Sequence, residues 1–283
     1  MVITYKNRHG TIRMSGGGRD NSWRIYEISG IGFPKKTFTY NTYAGVNGQE
    51  LNAVSIPSRT ITISGDISES SQKTLSMATV MRILNEDGEL FIQTGGKIRR
   101  ARVRTLSFEP DQRKTMYKKF VLQLESDNPF FFGRAPAQFA IFSRTKLLTA
   151  PFMLPTAFSR RNLGADVVNR GDVEAEPKLI FSKPLESDIV EGDNVVLTNA
   201  TTGTTIHLER TMQPGETITI SIPNRTIESS ISGNILTEIS LDTVLSDFVL
   251  PPGNNHITCD SSDVTLFVSC EFEELYLEAS HDE

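Results

Sequence analysis

The sequence has little cysteine, little histidine and no long apolar run, and each shortage removes a class of protein. Two cysteines in 283 residues, Cys259 and Cys270, are too few for a disulfide framework. Four histidines, His9, His207, His256 and His281, stand apart from one another and from any cysteine pair, so no zinc-ligand spacing is present. No stretch approaches the roughly 20 apolar residues that cross a bilayer, and the polar start, Met1 to Gly10, holds no signal core. These absences predict a soluble chain made in a cytoplasm, without membrane insertion. Enzyme signatures are missing as well: no Gly-x-Ser-x-Gly elbow, no Cys/His nucleophile pair and no Walker-type loop. Gly16-Gly17-Gly18 lacks both the spacing and the following helix of a phosphate cradle and reads as a loop. Only a carboxylate pair assembled by the fold, as in glycoside hydrolysis, escapes such a search. The expectation is a protein that is not an enzyme, with no catalytic residue, no metal site and no cofactor.

What the chain does have is strand pattern. Ile61 and Ile63 alternate with Thr60, Thr62 and Ser64; Phe120, Leu122 and Leu124 alternate with Val121 and Gln123; Ile218, Ile220 and Ile222 alternate with Thr217, Thr219 and Ser221. Period 2 in such runs predicts half-buried strands. Leu266, Val268, Cys270 and Phe272 share one face of another strand, which makes Cys270 a core residue. Turn chemistry separates the runs at Val46-Asn47-Gly48, Thr201-Thr202-Gly203, Pro214-Gly215 and Pro251-Pro252-Gly253-Asn254. One helix is predicted between Glu69 and Leu84. Met77, Val80, Met81 and Leu84 mark its apolar face, Ser68, Ser70 or Ser71 its cap, and Asp87-Gly88 its end.

The length suggests two domains, placed at 1–132 and 133–283. The first is a β-sheet domain with one helix. In the second, residues 133 to 168, with Pro136, Pro151 and Pro155, read as an arm, and the remainder reads as a β-sandwich. A net charge of -5 hides an asymmetry: residues 1–150 hold 22 basic and 12 acidic side chains, residues 151–283 hold 7 and 22. Such halves hint at an interaction surface. The basic charge peaks at Lys97 to Arg104, where strand geometry sets Arg100, Arg102 and Arg104 on one face with Ile98 and puts Arg99 on the other with Lys97, Ala101 and Val103. Without interleaved aromatics for base stacking, these arginines, Arg99, Arg100, Arg102 and Arg104, are candidate protein-interface residues rather than nucleic-acid readers.

Several segments, in order, resemble the distal tail proteins of long, non-contractile-tailed phages and prophages. Ile28-Ser29-Gly30-Ile31-Gly32, Arg59 to Ile67 (RTITISGDI), Asp87 to Leu90 and Leu122 to Phe131 (LQLESDNPFF) resemble that family's first domain. Val168 to Asp172, Leu197 to Ile206 (LTNATTGTTI), Leu208 to Ile220 (LERTMQPGETITI) and Leu250 to Asn255 resemble its C-terminal galectin-like sandwich. The resemblance implies a virion structural protein of mainly β fold, a homo-hexameric ring at the phage tail tip. Its partners would be the tail-tube protein, the tail-associated hub protein and receptor-binding proteins, with DNA only passing through the ring lumen. The other reading it opens is a carbohydrate-binding, host-recognition sandwich. Against it, the aromatics from Asn169 onward are few, namely Phe181, Phe248, Phe267, Phe272 and Tyr276, and mostly alternate as core.

Overall fold

The computed structural model describes every residue except 17–21, 46, 69–74, 112–116, 147–158, 193 and 280–283. The chain forms two compact units, Met1–Arg134 with Tyr276–Glu283, and Ala135–Leu275. The chain after Leu275 therefore groups with the first unit, and 133–283 is not one continuous domain. The charge asymmetry follows the units: 20 basic and 15 acidic residues in the first, 9 and 19 in the second.

In the first unit the chain runs through β1 (Val2–Asn7), β2 (Gly10–Ser15), β3 (Trp23–Ser29), β4 (Thr37–Asn41), β5 (Glu50–Ser55) and β6 (Arg59–Ser68) to helix α1 (Met77–Leu84). After the helix come β7 (Gly88–Thr94), β8 (Lys97–Pro110), β9 (Tyr117–Ser126) and the short β10 (Phe131–Phe132). Seven strands close into a barrel in the order β8-β7-β1-β2-β3-β6-β9, because the 14-residue β8 pairs at both ends. Its first part meets β7, Arg102 opposite Glu89, and its second part meets β9 from Arg104 opposite Glu125 onward. Closure removes the sheet edges that would otherwise invite pairing. The alternating residues fill the interior: Ile3, Tyr5, Ile61, Ile63, Leu122 and Leu124 are fully buried, and Trp23 packs edge-on against Phe120 at 4.9 Å between centroids. Gly65 marks the tightest crossing, since a Cβ there would stand 1.9 Å from the Arg24 carbonyl oxygen.

Helix α1 differs from expectation at both its start and its face. Its N-cap is Ser76, whose side chain accepts from the Thr79 N–H, whereas Ser68 ends β6 and Ser70 and Ser71 lie outside the described residues. The buried stripe is Val80, Ile83 and Leu84 with Met77 packed beside it, and Met81 is 44% exposed. The apolar face is thus rotated toward Ile83, which meets Gly10 of the β1–β2 turn and whose carbonyl accepts from Asn7 Nδ2. Asn85, rather than Asp87-Gly88, caps the end.

The second unit comprises β11 (Ala137–Lys146), β12 (Ser159–Asn162), β13 (Gly164–Asn169), β14 (Lys178–Ser182), β15 (Val195–Asn199), β16 (Thr204–Leu208), β17 (Thr217–Ser221), β18 (Thr226–Ser229), β19 (Gly233–Asn234), β20 (Gly253–Asp260) and β21 (Phe267–Phe272). They form two sheets, β12-β11-β21-β14-β17-β18-β19 and β13-β20-β15-β16. Leu179, Phe181, Ile218, Ile220, Val268 and Cys270 from the first sheet and Val167, Leu197, Ile206 and Ile257 from the second make one core, so the unit is a sandwich. Burial pushes the Cys270 thiol up to about 12. The described part of the expected arm is integral to this sandwich: β11 and β13 are paired strands. A bulge between Ala140 and Phe142 buries Ile141 and Phe142 in succession, which breaks the alternation that would have announced a strand.

The motif residues of the sandwich turn out to be one device. Asn169, Asn199 and Asn255, from β13, β15 and β20, are all fully or almost fully buried and donate their side-chain amides to the carbonyls of Leu250, Val249 and Pro251 at 2.8, 3.1 and 2.9 Å. Three neighbouring strands therefore clamp one turn.

Candidate assembly surface

The candidate arginines of β8 divide by what they touch. Arg99 lies on the same side as the buried Ala101 and Val103 and sets its guanidinium 3.3 Å from the ring centroid of Tyr276. Arg100 pairs with Glu89 at 3.1 Å and lies 5.6 Å from the Phe132 ring. Arg104 pairs with Asp127. Arg102 is exposed, with its guanidinium 5.7 Å from Phe132. Together with Asp87, Glu89, Glu125 and Asp127, Arg102 and Arg104 line a surface cavity of about 550 Å³. The strand thus supplies many of its own counter-ions, and of the four side chains Arg102 offers the most charge to a neighbour.

A second feature went unread in the sequence. Strands β4 and β5 form a two-stranded sheet apart from the barrel, and every residue of both is exposed except the half-buried Asn41. Phe38, Tyr40, Tyr43, Leu51 and Val54 are 48–53% exposed. A lone hairpin is marginal in water, and this one holds large apolar side chains on a pair of strands that the barrel does not cover. The Asn47-Gly48 turn was visible in the sequence; the absence of a covering layer was not.

Arg59 joins the motif segments of the first unit. It is 7% exposed, and its guanidinium donates to the carbonyls of Pro129, Gly30, Gly32 and Leu277 at 2.7, 2.8, 2.6 and 2.9 Å while lying 4.5 Å from the Phe131 ring centroid. Burial lowers its pKa, but a guanidinium keeps its charge, and carbonyl dipoles solvate it in place of water. The Ile28–Gly32 segment, the strand opening at Arg59 and the acidic-Pro-aromatic corner, separate in sequence, meet on this one side chain. Gly30 is required here: its φ is +83°, and a Cβ would stand 2.0 Å from the Thr60 carbonyl oxygen.

The remaining polar clusters are structural in character. Arg8 and His9 hold the half-buried Glu86 carboxyl down at about 2 through hydrogen bonds. Lys183 and Asp263 form a pair at 2.5 Å that is almost wholly buried. Burial works to raise the Asp263 pKa, but hydrogen bonds from Lys183 and Thr265 outweigh it and the net shift is downward. His256 pairs with Asp166 at 2.8 Å. Among the described residues no group of three or more His, Cys, Asp or Glu could hold a metal ion, and no helix is long and apolar enough to cross a membrane. Gly17, Gly18 and His281 lie outside the described residues. Of the aromatics after Asn169, Phe181, Phe248, Phe272 and Tyr276 are buried, and Phe267 is 39% exposed.

Among the described residues, then, the first unit is a barrel and the second a sandwich, and their polar clusters fasten strands and turns to one another. Residues 171–276 match the family model for the siphovirus-type tail component, C-terminal domain. Among solved structures it is similar to the Dit (gp 19.1) protein of phage SPP1, with 13% identity, a TM-score of 0.62, and coverage of 88% of this chain and 92% of that one. It is also similar to a chain of the phage P2 baseplate in its activated conformation with Ca, with 12% identity, a TM-score of 0.47, and coverage of 96% and 97%. No curated protein matches it in sequence.

Proposed function

We propose that this chain is a distal tail subunit of the virion that assembles six copies into a ring, joining the tail tube to the tail-tip hub and leaving a lumen for DNA. It does this without catalysis. The observation that carries the reading is the uncovered β4–β5 hairpin. The seven-strand barrel is closed, and the hairpin is a strand pair outside it with uncovered apolar side chains that a neighbouring copy can receive. A head-to-tail contact of this kind, repeated with closing rotation, generates a ring. Covering the exposed half of a side chain of this size is worth roughly 1–1.5 kcal/mol, so five of them reach only the lower part of the roughly 4–15 kcal/mol that association costs. The hairpin therefore works with a second contact, for which Arg102 and its cavity are the candidates. The similar SPP1 protein is described as a paradigm of the hub adsorption apparatus in phages infecting Gram-positive hosts, which agrees with a hub-facing role.

The sandwich acts as an attachment or spacer module on this reading. A sugar site commonly presents aromatic platforms, and Phe267 is a single half-open ring. Replacing Phe38 and Tyr40 together by Ser tests the proposal: sedimentation should show loss of the assembled species with an unchanged monomer fold. Assembly identical to wild type would remove the hairpin from the interface.

A further inference from the structure

An arm that joins subunits into a closed ring must leave its barrel in a fixed direction, so the root of the hairpin matters as much as its tip. The chain leaves β3 at Ser29 and passes Gly30, Ile31 and Gly32 before Lys35, Lys36 and β4. The carbonyls of these three root residues are all occupied. Arg59 Nη1 takes those of Gly30 and Gly32, and the Ala279 N–H donates to that of Ile31 at 2.8 Å. The other root of the arm ends at Arg59 itself, the first residue of β6. The same guanidinium turns Nη2 to the Leu277 carbonyl. Ile31 and Ala279 are each 6% exposed and share the core of the first unit, Thr94 Oγ1 reaches the Ala279 carbonyl at 3.4 Å, and Tyr276 is held beneath Arg99.

We propose that Tyr276–Ala279 is a lock on the root of the assembly arm, positioning the hairpin for a second copy of the chain. The inference rests on the assembly reading above. It adds a consequence that the chain order supplies: the lock is made only once the chain has been synthesised past Ala135–Leu275, and until then Arg59 holds the root through Gly30 and Gly32 alone. Segments made earlier fold first during synthesis, and fixing a binding element in its bound geometry removes an ordering cost from association. The return of the chain to the first unit thus ties assembly competence to completed synthesis of the chain.

Trypsin reads the root directly, because Lys35 and Lys36 lie in it and are exposed. In the full-length protein, Ala279→Pro removes the N–H that holds Ile31, while Ala279→Gly keeps it. At a dilution where the wild type is monomeric, Ala279→Pro should be cut after Lys35 and Lys36 about five- to tenfold faster, the effect of losing one net hydrogen bond on local opening. Cleavage after Lys118 and Lys119 in β9 should keep its wild-type rate. At higher concentration the same variant should lose most of its assembled fraction, and Ala279→Gly should follow the wild type in both assays. Unchanged cleavage at the root would overturn the lock. So would equally faster cleavage in β9, which would make the segment a general brace of the barrel. Failure of the wild type to associate would count against the assembly reading alone, since the cleavage comparison on monomers decides the lock by itself.

Discussion

Arg59 Nη2 and the carbonyl oxygen of Leu277 lie 2.9 Å apart across 218 positions of chain. The guanidinium making that bond also serves three other carbonyls, and among the described residues no carboxylate is a hydrogen-bond partner. Such a buried charge is tolerated because every donor arm has a dipole to meet, and its removal leaves several carbonyls without a donor at once.

Arg59→Lys should therefore be costly although the charge is kept. An ammonium is a point donor and cannot fork to four segments, so a loss of about 3 kcal/mol is expected. Urea unfolding followed by the fluorescence of Trp23, the sole tryptophan and a barrel residue, measures it. An unchanged midpoint would show that the four bonds do not cooperate.

The sandwich has its own reporters, since both cysteines are buried in it. Asn199→Ala strips a donor from the Val249 carbonyl and should destabilise the clamped turn by about 1–3 kcal/mol. Faster labelling of Cys259 and Cys270 by a thiol reagent in mild urea is the expected result, with the Trp23 transition unmoved.

Acid should find Glu86 late. Its carboxyl is held at about 2 by Arg8 and His9, below its ordinary value of 4.5, so the contribution of this cluster to stability is present above the unfolded value and fades as pH falls through the folded one. A carboxyl NMR titration should find Glu86 ionised at pH 3, and Arg8→Ala should bring its titration upward toward the ordinary range. Titration near 4.5 in the wild type would contradict the paired geometry.

The β8 arginines should separate on mutation. Arg102→Ala removes an exposed charge that meets solvent and a neighbouring copy without adding a carboxylate opposite Glu89, so assembly should fall while the unfolding midpoint holds. Arg100→Glu places a second carboxylate beside Glu89 in a largely covered position and should lower stability by about 1–3 kcal/mol before assembly is considered. Equal behaviour of the two variants would contradict the division of roles along the strand.

How much of this was legible in the sequence depends on how far each feature reaches. Period-2 alternation placed Ile61, Ile63, Leu122 and Cys270 in cores, because strand neighbours two residues apart share a face whatever lies above them. The helix was visible, but its buried face takes Ile83 where the pattern put Met81, and only the packing against Gly10 and Asn7 decides between them. Phe38 and Tyr40 alternate just as core residues do, and sequence pattern cannot tell a side chain covered by its own chain from one awaiting another. Arg59 opens a strand like any polar residue; its role exists only where four distant segments converge. Asn169, Asn199 and Asn255 carried turn chemistry in the sequence, while their shared target at Val249 to Pro251 is a tertiary fact.

Self-assembly is read out by the mass of the purified full-length protein in solution, with negative-stain images of the same sample. The prediction is a concentration-dependent species of six copies that appears as rings with a central hole. A monomer at every concentration, still monomeric after addition of the tail-hub protein, would contradict it.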